Sequence, residues 1–460
     1  MRTERQPVGI CWLIAASLLT IAILVGGGGT PAPRSELVVE LAALAALVAW
    51  VWAARRRHCY PYHGVDWPLL VLVGLFVAIP VVQLMPLPPA IWHQLPGRDV
   101  ERQALALVGA ENAWMPLSLS PPRTLASLLS LVPPVAMLFF ASRMTGHDRS
   151  RLLGLLAALA LVSVVVGAIQ LASGHGNWLR FYGRTDYGFA TGFQAYRNAQ
   201  ADLLIVSSMA LVAWAASSRR IIRSNQARIV VGAAVLVLWL AVVMTGSRSG
   251  VGMIVVSAVT CLAIVIRRGR ISAWRGVIIS IGALSLVVVG GVMLHDNARV
   301  ERTLARFDDL KDVRPEIWAD TWYAIRQHWP VGSGMGTFRP VFDAAERLEY
   351  VRPTYANRAH NDYLEYLLET GIAGALLVII AAIFAIYRIM MTLRRGSDSK
   401  MRAQALFIAG SLTALVLHSL VDYPMRSVSL GVVSGLMVGM LWRSGGNGGG
   451  LERRSSEGVE

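Results

Sequence analysis

Long apolar runs alternate with short polar gaps along most of the chain. Twelve runs of 14 to 20 residues contain few charged side chains. They cover residues 8–25, 37–54, 67–85, 124–141, 152–171, 203–216, 229–245, 250–266, 276–294, 371–387, 403–420 and 428–442. An apolar run of this length is typical of a helix that crosses a bilayer, whose hydrocarbon core is about 30 Å thick. The pattern therefore predicts an all-α, polytopic integral membrane protein with 12 transmembrane helices.

The composition agrees with a membrane protein and excludes several other classes. Of the 460 residues, 55% are apolar and only 15% are charged. A soluble globular chain has about 25% charged residues, and disordered or fibrous chains have far fewer apolar ones. None of those classes fits this chain.

The net charge of +15 raises the question of a nucleic-acid partner. The arginines, however, concentrate in alternate gaps between the apolar runs, as at residues 55–57, 219–228 and 267–275. Cytoplasmic loops of membrane proteins carry such an excess of basic residues. The basicity therefore predicts a topology with both termini in the cytoplasm, and no nucleic-acid partner.

The first apolar run and the cysteines fit the same topology. We expect the first run to be kept as a span rather than cleaved as a signal peptide, because its removal would move Arg55, Arg56 and Arg57 to the wrong side. The three cysteines lie within spans or in an inner loop. No disulfide is expected there, since that side of the membrane is reducing.

The polar residues on the outer side form three segments, at residues 87–122, 173–199 and 295–370. The last is too long and too rich in tryptophan for a disordered linker, so we expect a folded outer cap. The predicted organisation is listed here: spans one to nine with two outer loops in 1–294, the cap in 295–370, spans ten to twelve in 371–443, and a disordered cytoplasmic tail in 444–460.

A tryptophan-rich helix and a glycine turn are predicted inside the cap. Pro315 suits the first helical turn, and Trp318, Trp322, Ile325 and Trp329 recur on one helical face. Such a stripe most often packs against a membrane surface or other helices. The following VGSGMG segment is either an anion-holding turn or, more simply, a connector.

His360 precedes a second predicted cap helix, for which Asn361 is the N-cap and Gly371 opens the next span. The positive end of a helix dipole favours the neutral imidazole, and neutral imidazole is what a general base requires near pH 7. A histidine that merely caps or hydrogen-bonds is the competing interpretation. Helical spacing places Tyr363 beneath His360.

Three arginines are predicted at the outer boundary of the membrane. A cation at bilayer depth is energetically costly, so its presence suggests a functional role. Arg248 lies in the tight link between two spans, Arg197 precedes another span, and Arg314 precedes the tryptophan helix. Guanidinium groups bind phosphates bidentately, so together they suit a lipid-linked pyrophosphate. Taken singly, each could instead contact lipid headgroups or form an ion pair, such as Arg197 with Asp202.

Several motifs in these regions resemble the O-antigen ligase and polymerase superfamily of bacterial inner membranes. They are GSRSG around Arg248, RPEIWADTWYAIRQHWPVGSGMGTF from Arg314, AHNDYLEYLLETGIAG around His360, HSLVDYPMR from His418, and LPPAIWHQLPGR with PLSLSPPRT in the first outer loop. The resemblance extends over spans three to twelve. It implies a GT-C-like fold with a periplasmic cap and a periplasmic active site.

The resemblance also implies a reaction and roles for residues. The donor would be a glycan on undecaprenyl pyrophosphate, transferred in the ligase branch to lipid A-core, with no metal and no cofactor. His360 would be the base, with Arg248 and Arg314 as the essential arginines. Arg197 is assigned with Asn361 and Tyr363 to substrate binding, although QAYRNAQ departs from the usual form of the Arg197 loop.

Other functions share parts of this pattern. A polymerase of the same glycan, or a transferase that moves it to protein, would need the same histidine and arginines. A transporter or flippase also fits twelve spans, but it would concentrate its charges near the membrane midplane. The strongest polar features here lie outside the spans, which favours the transferase.

Overall fold

The computed structural model describes residues 9–28, 33–56, 67–173, 179–182, 186, 188–266, 313–351, 356–394 and 399–442. Within them the chain is almost entirely helical. The helices are α1 (Ile10–Val25), α2 (Pro33–Arg55), α3 (Trp67–Leu84), α4 (Pro89–Trp92), α5 (Asp99–Leu107), α6 (Pro121–Leu129), α7 (Val132–Arg143), α8 (Gly146–Ala172), α9 (Arg197–Ser217), α10 (Arg219–Arg223), α11 (Asn225–Met244), α12 (Arg248–Ile266), α13 (Arg314–Gln327), α14 (Phe338–Ala345), α15 (Asp362–Arg394), α16 (Ser399–His418) and α17 (Val428–Met440). Short 3-10 turns cover Leu348–Tyr350 and Pro424–Arg426, and β1 (Pro86–Leu87) pairs antiparallel with β2 (Met115–Pro116).

The prediction of an all-α polytopic membrane protein is confirmed. In the described part of the chain, nine helices are long and apolar enough to cross a membrane, with α6 and α7 counted as one. Two further apolar helices, α1 and α17, are shorter. Each matches a predicted span. The predicted ninth span at 276–294 and the tail at 444–460 lie outside the described residues, so the count of twelve stays a prediction.

Helix α9 lies at the centre of the bundle. It packs against α8, α11, α12 and α16, and 83% of its apolar 18-residue stretch is buried inside the protein. In α15, by contrast, only 11% of the apolar 18-residue stretch is buried. A polar side chain on α9 is therefore enclosed by protein and needs a partner there.

Helix α15 contains a break at Gly371, whose φ of 59° and ψ of −152° are not helical. A Cβ atom at this position would collide with the Pro330 carbonyl oxygen. Only glycine fits both the backbone conformation and the space. Gly371 thus separates a cap helix from the span that follows, as the sequence predicts.

The part of the cap that the structure describes, residues 313–351 and 356–370, encloses its own apolar cluster. Ala324, Ile325, Phe338, Phe342 and Leu368 are buried together there. Of the predicted stripe, Ile325 joins this cluster, whereas Trp322 and Trp329 remain about half exposed on this chain. The stripe is therefore only partly a packing face within the protein.

The glycine turn after α13 is a connector. The amide of Ser333 donates to Leu368 O at 3.0 Å, and that of Gly334 donates to Glu369 O at 2.9 Å. Gln83, at the end of α3, donates to the same Glu369 carbonyl and accepts from Met335 N. These backbone amides thus already donate to protein carbonyls and are not available to bind an anion.

At the opposite end of the bundle, Arg149 joins two helix carboxyl ends. Its guanidinium donates to Ala141 O and Ser142 O at the end of α7, and to Met440 O and Trp442 O at the end of α17. Carbonyls in the last turn of a helix lack most of their helical partners, and the buried cation provides donors for four of them.

One expectation about the cysteines is wrong. Cys11 is disulfide-bonded, and Cys261 is free and buried. The expectation rested on the chemistry of the compartment alone, which did not exclude a disulfide at Cys11.

Candidate active site

His360 lies immediately before α15, in a loop whose backbone is fixed on both sides. The Ala359 amide donates to Glu365 Oε2 at 3.0 Å, and Trp318 Nε1 donates to the Ala359 carbonyl at 3.0 Å. His360 has a φ of 50°, the only positive φ of a non-glycine residue in the described part of the chain. Such a conformation costs about 1–3 kcal/mol and persists where the surroundings enforce it.

Asn361 is the N-cap of α15, as predicted. Its Oδ1 accepts from the amides of Tyr363 and Leu364, and its Nδ2 donates to Leu420 O at 3.0 Å. The Tyr363 hydroxyl donates to Val416 O at 2.8 Å. Both side chains therefore connect the His360 loop to the end of α16. Their predicted role in substrate binding stays a prediction.

The partner of His360 is Asp422, in the loop that joins α16 to α17. His360 Nδ1 lies 3.3 Å from Asp422 Oδ1, and the Tyr423 ring lies 5.1 Å from the imidazole. Asn198, at the start of α9, donates to Asp422 Oδ2. The backbone amide of Asp362 donates to the carbonyls of Ser419 and Asp422, which fixes the two loops against each other.

Burial opposes ionisation of Asp422, but its neighbours reverse the effect. The hydrogen bond and charge of His360, together with His418 and Arg314, hold the pKa of Asp422 below its usual value. Asp422 is therefore an ionised acceptor at neutral pH. An ionised carboxylate at Nδ1 favours the tautomer in which His360 carries its proton there and leaves Nε2 free to accept one.

A second histidine lies behind this pair. His418 Nδ1 is 2.6 Å from Asp202 Oδ1, and His418 Nε2 is 2.6 Å from Ser249 Oγ. His418 Nε2 also lies 3.8 Å from Asp422 Oδ2. The chain of contacts thus runs from α9 through α16 and α12 to the loop that holds His360.

Beneath the His360 loop lies a buried cluster of charges. Arg426 Nη2 contacts Glu369 at 2.9 Å and Glu365 at 3.4 Å, and Arg358 donates to Glu365 at 2.6 Å. Asp362 faces Arg426 at 3.8 Å. Both glutamates are fully buried, so each needs its arginine. The cluster joins the loop before α15 to the loop after α16.

The three predicted arginines occupy the same end of the bundle but different positions. Arg248 begins α12, next to Ser249, which contacts His418. Arg314 begins α13, close enough for its charge to act on Asp422. Arg197 begins α9 and lies over the Phe189 ring at 4.8 Å.

Arg197 does not pair with Asp202, contrary to the suggested ion pair. Its guanidinium lies 3.9 Å from Asp186 Oδ2, and its backbone amide donates to the same carboxylate at 3.1 Å. Asp202 pairs with His418 instead. Residues five apart on a helix point about 140° away from each other, so Arg197 and Asp202 face different neighbours.

A cavity of about 220 Å³ opens beside His360 and Asp422. Arg197, Asp202 and Arg426 are among its lining residues, whereas Arg248 and Arg314 are not. Among the described residues, no group of three His, Cys, Asp or Glu side chains could hold a metal ion. The arrangement offers a histidine with an ionised partner, next to a space for a polar ligand.

Several residues of this site were missed by sequence reasoning. His418 and Asp422 lie in the HSLVDYPMR motif, which supports the family resemblance but did not lead to a predicted role for either residue. Asp202 carries its own signal, because an acid within a span is costly unless it has a partner. Ser249 lies in the GSRSG motif and Asn198 in QAYRNAQ, but neither residue was predicted to take part in the site.

Comparison with known protein families identifies one match. The family described as O-antigen ligase matches residues 233–379, a region that includes Arg248, Arg314 and His360. This match confirms the resemblance for the motifs within residues 233–379, which are those around Arg248, Arg314 and His360. A comparison with curated proteins finds no match for the chain.

Proposed function

Because residues 233–379 belong to the O-antigen ligase family, we propose that the protein is a ligase that transfers a glycan from undecaprenyl pyrophosphate to lipid A-core. The reaction takes place on the periplasmic side of the bacterial inner membrane. The observation that carries this proposal is the His360–Asp422 pair, which lies beside a polar cavity at the end of the bundle where Arg248 and Arg314 also begin their helices.

His360 acts as the general base. With its Nδ1–H directed at Asp422, Nε2 is available to take the proton of the acceptor hydroxyl. The hydroxyl oxygen then forms a bond to the anomeric carbon of the donor. At the same time the bond from that carbon to the pyrophosphate oxygen breaks, and the electron pair leaves with the pyrophosphate.

Arg248 and Arg314 stabilise the charge that develops on the leaving pyrophosphate. Guanidinium groups stay protonated at every relevant pH and match the geometry of phosphate oxygens. A single displacement of this kind inverts the configuration at the anomeric carbon. The anomeric configuration of the new linkage in the product, determined by NMR, should therefore be opposite to that in the donor.

The proposal is tested first by deleting the gene in the source bacterium. A ligase null should leave lipid A-core without long glycan while lipid-linked polymer accumulates. If the core instead carries single repeats, the protein is a polymerase. If the lipopolysaccharide is unchanged, the proposed function is wrong.

Complementation of the null then tests His360. His360→Ala should fail to restore ligation although the protein accumulates normally, because general-base catalysis contributes about 10²–10⁴-fold. His147→Ala is the matched control, since His147 is exposed at the start of α8. Normal ligation by His360→Ala would reject the assigned base.

A further inference from the structure

The cavity beside His360 carries charges of the wrong kind for a pyrophosphate. Three carboxylates line it, those of Asp186, Asp202 and Asp422. Its two guanidinium groups already face carboxylates: Arg426 contacts Glu365 and Glu369, and Arg197 faces Asp186. A ligand with two or more negative charges would meet acids without gaining an uncommitted cation.

The rest of the lining suits an uncharged, hydroxyl-rich ligand. Tyr196 and Tyr423 lie edge to face at 6.2 Å and present aromatic surface, and Asn198, Asn357 and Ser427 provide hydrogen-bonding groups. Aromatic faces with a few directed polar groups are what a small-molecule site needs to hold and orient its ligand. The volume of about 220 Å³ fits one sugar ring rather than a chain.

One buried atom in the lining lacks a partner. Asp202 is only 1% exposed and uses Oδ1 for His418, while its Oδ2 has no hydrogen-bond partner among the described residues. An unsatisfied carboxylate oxygen at a buried site is costly, and each such atom calls for an explanation. Because Asp202 lines the cavity, a hydroxyl group of a bound ligand that reaches Oδ2 would satisfy it, whereas a phosphate oxygen would not.

We propose that this cavity is the acceptor subsite, which binds the uncharged terminal sugar of the acceptor through its hydroxyl groups, with Asp202 Oδ2 as one acceptor of their hydrogen bonds. The pyrophosphate of the donor then binds outside the cavity, on the side of Arg248 and Arg314. His360 lines the cavity and is hydrogen-bonded to Asp422, and Arg314, which is not among the lining residues, acts on that carboxylate through its charge. This assignment rests on the proposed function and specifies which substrate occupies which part of the site.

Protection from alkylation tests the assignment without requiring turnover. Asn357→Cys in the full-length protein places a thiol in the cavity lining, and Tyr323→Cys places one on the exposed surface of α13. The variants are reconstituted in lipid nanodiscs and treated with N-ethylmaleimide, and modification at each position is followed by mass spectrometry. The probes are core oligosaccharide released from lipid A and, separately, inorganic pyrophosphate.

We expect the core oligosaccharide to slow alkylation at position 357 at least tenfold and to leave position 323 unchanged. Pyrophosphate should protect neither position. Protection of position 357 by pyrophosphate, or its absence with the oligosaccharide, overturns the subsite. Since no reaction is needed, this result is independent of whether the chain ligates glycan.

Kinetics provides the second test, should the cysteine variant not fold. Tyr196→Leu should raise the KM for the acceptor about tenfold, or about 1.4 kcal/mol, and change the KM for the donor less than twofold. Arg314→Lys should instead raise the KM for the donor about tenfold and change the KM for the acceptor less than twofold. An equal change in both KM values for Tyr196→Leu would contradict the subsite, while ligation itself would still support the proposed function.

Discussion

Asp202 Oδ1, near the start of α9, lies 2.6 Å from His418 Nδ1 at the end of α16, and neither side chain exposes more than 2% of its surface. The two residues are 216 positions apart in the sequence, on α9 and α16. Removing one partner of a buried charged pair leaves the other without compensation. Such losses are large, about 3–5 kcal/mol, whereas replacing both partners by neutral groups often costs little.

We therefore expect Asp202→Asn and His418→Gln each to destabilise the protein by about 3–5 kcal/mol. The double variant Asp202→Asn with His418→Gln should lose less stability than the sum of the losses in the two single variants. Denaturant unfolding in detergent measures the four proteins of this cycle. His147→Ala, at an exposed position, should change stability by less than about 0.5 kcal/mol. If the losses of the single variants simply add, Asp202 and His418 are not coupled.

Asp422→Asn should lower kcat strongly, by about 10²-fold, because a neutral amide no longer holds His360 in the base tautomer. Its effect on stability should depend on pH. The pKa of Asp422 is lowered in the folded protein, so its ionised form contributes stability above the unfolded-state pKa of about 4. That contribution is lost as the pH falls further, through the lowered folded-state pKa.

The difference in Tm between wild type and Asp422→Asn should accordingly shrink as the pH falls below about 4. Thermal unfolding in detergent at a series of pH values gives this curve. A difference that grows on acidification would mean that the folded protein does not favour the ionised form of Asp422.

Glu365→Gln should destabilise the loop that carries His360. The change leaves Arg358 and Arg426 with less negative charge and weakens the acceptor for the Ala359 amide, so we expect a loss of about 3–5 kcal/mol. Glu349→Gln is the matched control, because Glu349 is an exposed partner of Arg347 and ion pairs at the surface contribute little to stability. Equal effects of the two changes would show that the buried cluster does not stabilise the loop.

Gly371→Ala should be poorly tolerated. A methyl group there meets the Pro330 carbonyl, and the backbone conformation is one that other residues rarely adopt. Gly252→Ala is the control, since a Cβ in that helical position contacts nothing within 4 Å. We expect Gly252→Ala to stabilise α12 by up to about 1 kcal/mol and Gly371→Ala to reduce both Tm and yield. Comparable Tm values for the two variants would contradict the structural role of Gly371.

The helical scaffold could be predicted because apolar length and charge bias are local properties of the chain. The predicted runs correspond to the described helices that are long or apolar enough to span a membrane, and Asn361 and Gly371 mark the start and the break of α15. Residues near His360 in the sequence were thus placed well. Their functional roles are still to be measured.

The polar connections between distant spans could not be predicted in the same way. His418 meets Asp202 and Ser249 only because α9 lies at the centre of the bundle, between α12 and α16. Helix packing of this kind depends on the whole fold and leaves no periodic pattern in one segment. The Arg197 partner was misassigned for the same reason, since its nearest acid in the sequence faces elsewhere.

Arg149 changes how the basic residues that are predicted to face the cytoplasm are understood. Basic residues there are usually regarded as signals that orient the chain during insertion. This one is buried and bonded to four carbonyls, and Arg388 similarly donates to Leu441 O. In the folded protein, these two arginines therefore also stabilise the packing of the helix ends. Replacing Arg149 should therefore weaken both the orienting charge and the packing of α7 against α17.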